Sequence, residues 1–356
     1  MSPPSSAVVE GDGTGAGPAE AGSPPPAGHH PGRTNTVVTL LERYGLVLIF
    51  IVVAIVFSAL RPKTFGTYAN WSGIAVSGSV LAVAALALVV PLVAGRFDIS
   101  VGANVGLSAI VAASAMSRHH LPLGVAVLAG VLTGALIGVV NGILVAYLGV
   151  NSIIGTLGVS IVIGGLVSAY TGGIPLSSDL SPTLTELSIK AFAKIPVLFL
   201  IMLVVAVVAW FVLRQTPYGR YLQGVGSNLN AARLTGIRVN RIVLGSFVLA
   251  GAIAGIAGVL QIAAQGNADP AVGTITFILP ALAAAFLGAT TVRPGTYNVA
   301  GTVIALYFLT MVVSGLSLLG AAPWATDVFN GAAVIIAIVI AAYLRRRRTG
   351  TAEVGD

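Results

Sequence analysis

Residues 214–241 read RQTPYGRYLQGVGSNLNAARLTGIRVNR, the longest polar segment inside an otherwise apolar body. The segment carries Arg214, Arg220, Arg233, Arg238 and Arg241 and no acidic residue. Hydrophobic runs lie on both sides of it, and a loop this short and basic between membrane spans belongs on the cytoplasmic side. Its middle, Asn228 to Leu234, has the marks of a short helix: Ser227 or Asn228 offers a cap and Gly236 a stop. A short helix held at the membrane surface suits a docking element. The other reading is a solvated loop with the usual positive bias.

Composition sets the class around that segment. The chain is 56% hydrophobic and 8% charged over 356 residues, with a mean hydropathy of +0.98. A soluble globular domain averages about 25% charged residues, so this is an all-α integral membrane protein. The net charge of +7 is no nucleic-acid footprint, because the basic residues gather at the ends of apolar runs. Four of them, Arg345 to Arg348, suit contact with the anionic lipid of an inner leaflet. There is no cysteine, which excludes disulfides and leaves the redox compartment open.

Helices of about 20 residues leave room for about ten spans in a single bundle. The runs fall at 44–60, 71–94, 101–117, 122–146, 151–170, 196–213, 242–264, 277–290, 298–319 and 324–344. Placing the arginine-rich loop inside makes both termini cytoplasmic. Of the 18 Lys and Arg, only Arg61, Lys63, Arg118, Lys190 and Lys194 then face outward, and the other 13 lie inside. Five spans in each half would make the halves enter the membrane from opposite sides, the arithmetic of an inverted repeat. Gly130, Gly134 and Gly138, four residues apart, let a neighbouring helix approach closely.

The expected organisation is a disordered cytoplasmic tail at 1–36, a transmembrane domain at 37–344 and a basic cytoplasmic tail at 345–356. Residues 1–36 are rich in Pro, Gly, Ala and Ser and hold too little apolar surface to offset chain entropy. Glu10, Asp12 and Glu20 exclude a signal peptide there. His29 and His30 have no third metal ligand nearby.

Two polar interruptions stand out. PLVAGRFDISVGA at 91–103 sets Arg96 and Asp98 between apolar runs, where each charge needs a cavity, a partner or the interface. Either the backbone is irregular there and buried in protein beside a path, or this is a hairpin whose two charges pair. GATTVRPGTYNVAG at 288–301 forces a turn through Arg293-Pro294-Gly295. Asn104, Asn141, Asn298 and Asn330 lie in or near spans, where each amide needs a partner; interhelical hydrogen bonding is the expected role of each, and contact with a polar substrate the other reading. Asp269 and Asp327 fall at the outer surface.

Catalysis has nothing to stand on. The lysines are at 63, 190 and 194, never after glycine, so no phosphate-cradling Gly-x-x-x-x-Gly-Lys loop exists and nucleotide hydrolysis would fall to another chain. Metal motifs and a nucleophile elbow are absent, and His119 and His120 lack acidic partners. No cofactor is expected.

Six stretches in order resemble the permease subunits of ABC importers for monosaccharides, the ribose and xylose type. They are AGRFDISVGA at 94–103, VVNGILVAYLGVNSIIGTLG at 139–158, TGGIP at 171–175, TPYGRYLQGVGSNLNAARLTGIRV at 216–239, LAGAIAGIAGVL at 249–260 and FLGATTVRPGTYNVAGTVIA at 286–305. The resemblance covers about residues 40 to 344. It implies a bacterial plasma (inner) membrane protein paired with a second permease subunit, expected to be an identical copy. It also implies a cytoplasmic ATP-binding subunit and an extracytoplasmic substrate-binding protein, the latter docking on outer loops that include 171–195 and 265–276. ATP would be bound by the partner.

Carried over by position, coupling to the ATPase falls to Gly226, Asn228, Ala231, Ala232, Arg233 and Gly236, and Arg220 in the same basic segment is expected to join them. Asp98, Ser100, Asn104, Asn141, Thr156 and Asn298 are expected to line or border the translocation path. Departures from the family pattern are Asn230 in place of an acidic residue, Arg96 in place of glycine, and Ala289, Arg293 and Pro294 in the second break. The expected mechanism is alternating access, with the differential energy supplied by the ATPase. The alternatives are a stand-alone ion-coupled transporter, for which Asp98 is the one candidate carboxylate, and a structural membrane subunit without transport.

Overall fold

The structure, a computed structural model, describes residues 36–349. The tail expected at 1–36 lies outside the described residues except for Thr36. The tail expected at 345–356 lies outside them from residue 350, and residues 345–349 prolong the last helix.

The chain runs through α1 (Thr36–Leu60), α2 (Tyr68–Val93), α3 (Val101–Ser117), α4 (Leu123–Ala146) and α5 (Ser152–Thr171). A connecting segment follows with α6 (Pro182–Thr185) and a small hairpin of β1 (Ala191–Phe192) and β2 (Ile195–Pro196). Then come α7 (Val197–Gln215), α8 (Pro217–Ser227), α9 (Leu229–Leu234), α10 (Val239–Gln265), α11 (Ile275–Gly288), α12 (Val299–Leu318) and α13 (Pro323–Thr349). Each expected apolar run is a helix.

Length separates these helices. Seven are long and apolar enough to cross a membrane: α2, α4, α5, α7, α10, α12 and α13 up to Tyr343. The described apolar part of α1, Tyr44–Leu60, and the helices α3 and α11 are shorter. At 17 residues α3 rises roughly 26 Å, and α11 at 14 residues roughly 21 Å, against a hydrocarbon core of about 30 Å. Length alone therefore supports seven of the ten expected crossings.

The core is built around α2. From Gly78 to Leu92 every residue but Leu81 is buried, because α7, α10, α11 and α12 pack around it. Its sequence explains this: Ala, Val and Leu recur on all sides with no polar stripe, and a helix apolar all round is a central one. Outer helices are one-sided. On α4, Leu128, Leu132 and Leu136 point outward, while Gly130, Gly134 and Gly138 face α10. A Cβ on Gly134 would lie 2.3 Å from the Gly251 carbonyl oxygen, and one on Gly138 2.2 Å from that of Phe247. The two backbones touch, as the glycine spacing predicts.

The 172–196 and 266–274 connections meet at one end of the bundle. The Leu176 N–H donates to the Ala268 carbonyl at 3.0 Å, and the Ala268 N–H returns the bond at 2.9 Å. Ile174, Ile189 and Phe192 stand exposed there.

Candidate coupling and translocation sites

The central polar segment folds as two helices set against the bundle. Thr216 caps α8 by accepting from the Gly219 N–H, with Pro217 preset in the first turn. Leu222 and Val225 are buried. Gln223 Nε2 donates to the Leu213 carbonyl at 2.9 Å, and the Tyr218 hydroxyl donates to that of Ile242 at 3.1 Å. Burial pushes the Tyr218 pKa up, so the phenol stays protonated and able to donate. Gly226 is pressed on the end of α2, where a Cβ would sit 2.0 Å from the Val93 carbonyl oxygen. Thus α8 is a clamp.

Beyond the clamp, α9 packs Ala232 against Val225, Val239 and Val243 and leaves its outer face exposed. Asn228 is its cap, accepting from the Ala231 N–H at 2.9 Å, and Gly236 ends it in the left-handed region at φ +80°. The seven expected coupling residues divide by contact. Ala232 is buried, and Gly226 is the close-approach point. Arg220, Asn228, Ala231, Arg233 and Gly236 are exposed. The most exposed large apolar side chain belongs to none of them: Leu234, at the end of α9, is 90% exposed. One leucine in a basic run reads as packing in sequence, and only its position past the last buried turn reveals otherwise.

Five of the six residues expected at the path come together where the chain breaks between α2 and α3. Gly95 turns the backbone at φ +72°. Asp98 Oδ1 accepts from the Ser100 N–H at 3.0 Å, from the Ser100 hydroxyl at 2.6 Å and from Asn141 Nδ2 at 3.4 Å. Asn141 Nδ2 also donates to Ser100 Oγ at 2.7 Å, while its own oxygen is buried without a partner. Thr156 Oγ1 accepts from the Ile99 N–H at 3.0 Å, and Ser152 Oγ accepts from that of Phe97 at 3.2 Å. One turn into α3, Asn104 Nδ2 donates to the Gly134 carbonyl, and its oxygen accepts from Ser108. Asp98, Ser100, Asn104, Asn141 and Thr156 are all buried. The backbone at 94–100 is therefore irregular, with Asp98 and Ser100 buried in protein. Among the described residues the one ion pair is Lys190 with Glu186, so Arg96 and Asp98 do not pair.

Asn298 stands apart. It caps α12 by accepting from the Gly301 N–H at 2.7 Å, and its amide donates to the carbonyls of Gly288, Thr291 and Thr296. Interhelical bonding was the expected role of such amides. Asn298 joins α12 to the end of α11 through Gly288 and also closes its own loop, and the Asn330 oxygen is buried without a partner.

Two cavities among the described residues lie near these elements. The larger, about 710 Å³, is lined by the first turns of α2 and α11 and the last turns of α10, the end of the bundle opposite α9. Ser72, Ser77, Gln261, Gln265, Thr276 and Phe277 are on its wall, and none of the six expected path residues is. The smaller, about 350 Å³, lies between the α4–α5 turn and the start of α10, with Arg96, Asn151, Arg233 and Asn240 on its wall.

Residues 70–338 match the family described as branched-chain amino acid transport system / permease component. Among similar proteins, the ribose import permease protein RbsC of Escherichia coli (strain K12) is 32% identical over 311 residues, 86% of this chain and 96% of that protein. The L-arabinose ABC transporter permease protein AraH of Azospirillum brasilense is 30% identical over 312 residues, covering 87% and 90%. The D-allose transport system permease protein AlsC of Escherichia coli (strain K12) is 29% identical over 299 residues, covering 84% and 91%. No solved structure matches the chain. The chain belongs to this permease-component family and is a multi-pass membrane subunit of an ATP-binding-cassette importer, not an enzyme.

Proposed function

We propose that the chain carries a monosaccharide inward by alternating access, driven by ATP bound and hydrolysed on a separate cytoplasmic subunit. The observation that carries the coupling half of this reading is α9: six residues seated on the bundle through Ala232 beside the clamped α8, ending in a leucine 90% exposed. Such a knob fits a cleft in a partner, and Arg220, Ala231 and Arg233 surround it with contacts of the right polarity. Support for the solute class comes from relatives named for ribose, L-arabinose and D-allose.

In this reading the arginine-rich end and both termini are cytoplasmic, in a bacterial inner membrane. An identical second permease completes the path. A substrate-binding protein docks on the joined 172–196 and 266–274 connections. Asp98, Ser100, Asn104, Asn141 and Thr156 border the path as a joint that fixes α3 to α4 and α5, and Asn298 sets the angle between α11 and α12. The first five apolar helices, α1 to α5, and the last five, α7 and α10 to α13, rock as opposed halves. A partner shifts that equilibrium only by its differential affinity for the two states.

The absence of native cysteine makes the test direct. A single Ala231→Cys variant is treated with a thiol-directed cross-linker in native membranes, and the captured chain is identified by mass spectrometry. Capture of an ATP-binding subunit is the expected result. Free labelling of the site by water-soluble reagents with no such capture would defeat the docking role of α9.

A further inference from the structure

The larger cavity contains a polar side chain that the fold leaves unanswered. Gln261, near the end of α10, is 4% exposed, yet its amide makes no hydrogen bond with a described residue. Asn104 and Asn298, by contrast, have both amide ends engaged. A primary amide offers two donors and an acceptor. On the cavity wall the Gln261 amide has all of them free for what enters.

The wall indicates the occupant's chemistry. Ser72 and Ser77 of α2 and Thr276 of α11 add hydroxyls, Gln265 a second amide, and Phe277 an aromatic ring. Lys190 is the one charged residue on the wall, and Glu186 already pairs with it at 2.9 Å. An ion entering here would find no free counter-charge. Amides and hydroxyls both donate and accept, which matches a neutral molecule whose own hydroxyls do the same, and the ring offers a face for its C–H groups.

We propose that Gln261, with Ser72 and Thr276, forms a subsite for the hydroxyl groups of a neutral polyhydroxylated solute at the end of the path opposite α9. This rests on the importer reading and deepens it by naming where the permease itself touches the solute.

The test measures uptake of ¹⁴C-labelled D-ribose, L-arabinose and D-allose by cells carrying the permease with its ATP-binding and substrate-binding subunits. Gln261→Leu is expected to cut uptake of the transported sugar about tenfold, as loss of hydrogen bonds made in passage would, and Gln261→Asn to recover part of it. A Gln261→Leu chain present in the membrane at the wild-type amount with undiminished uptake overturns the subsite and leaves the importer reading standing. Wild-type chain that moves none of the sugars defeats the sugar reading, and the subsite with it. Should Gln261→Leu fail to reach the membrane, a single Ser72→Cys decides. An impermeant thiol reagent added outside is expected to label it, with saturating sugar slowing labelling at least threefold. Absence of labelling, or labelling indifferent to sugar, overturns the proposal.

Discussion

The break at 94–100 is wired outward, and the asparagine of the break at 289–298 closes on the ends of the two helices it joins. Both interrupt apolar helices, both carry an arginine (Arg96, Arg293), and both turn on a left-handed glycine, Gly95 at φ +72° and Gly295 at φ +82°. The first spends its polar groups on other helices: Asp98 holds Asn141 of α4, and the Ile99 and Phe97 N–H groups reach Thr156 and Ser152 of α5. In the second, the Asn298 side chain bonds only between residues 288 and 301, on the end of α11 and the start of α12. The two breaks meet through a stack of rings, Phe97 to Phe286 at 6.0 Å and Phe286 to Tyr297 at 5.8 Å between centroids. A wired break transmits displacement to the helices it ties, whereas a closed one moves as a corner.

The largest effect is expected at the wired break. Asp98→Leu leaves the Ser100 N–H, the Ser100 hydroxyl and the Asn141 amide without their shared acceptor, at a cost of roughly 3 kcal/mol. Thermal unfolding of the purified protein in detergent should shift down by several degrees, and uptake should be lost. Asp98→Asn keeps an acceptor oxygen and should recover most of the unfolding midpoint. A midpoint for Asp98→Leu equal to wild type would mean that the network ties nothing together.

Gly301→Ala comes next, because the added Cβ would lie 2.2 Å from the Gly288 carbonyl oxygen, where backbone must give way. Overpacking of that kind costs about 2 kcal/mol. Asn298→Ala removes a cap and should cost roughly 1 kcal/mol. In the same unfolding assay, an Asn298→Ala loss as large as that of Asp98→Leu would erase the distinction between the breaks.

The apolar runs and the two breaks were legible because hydropathy is a local property. The run expected at 101–117 is α3 to the residue, and 242–264 differs from α10 by a few residues at its ends. Partnering was not legible, since it depends on how each helix is rotated about its axis. Asp98 and Asn141 stood out as polar among apolar neighbours and Thr156 came in with the family resemblance, but nothing local says that they meet. Asn298 is a different case: an Asn immediately before an apolar run is a cap signal, and the interhelical expectation passed over it. The α8 clamp also had its mark in Thr216-Pro217. Gln261 had none, because a glutamine within GVLQIAAQ looks the same whether its amide is paired or open.

The smallest expected effect on the fold is at Leu234, outside both breaks. A side chain 90% exposed makes almost no packing contact, so Leu234→Ser should leave the unfolding midpoint within about 0.5 kcal/mol of wild type. Uptake should nevertheless fall several-fold, since what the leucine buries lies on another chain. The pairing of an untouched midpoint with lost uptake is the reverse of what Asn298→Ala should show, a lowered midpoint with uptake largely kept. If Leu234→Ser transports normally, α9 does not use its apolar tip for docking. The exposed arginines, Arg220 and Arg233, would then have to carry the contact, and raised salt should weaken Ala231→Cys cross-linking accordingly.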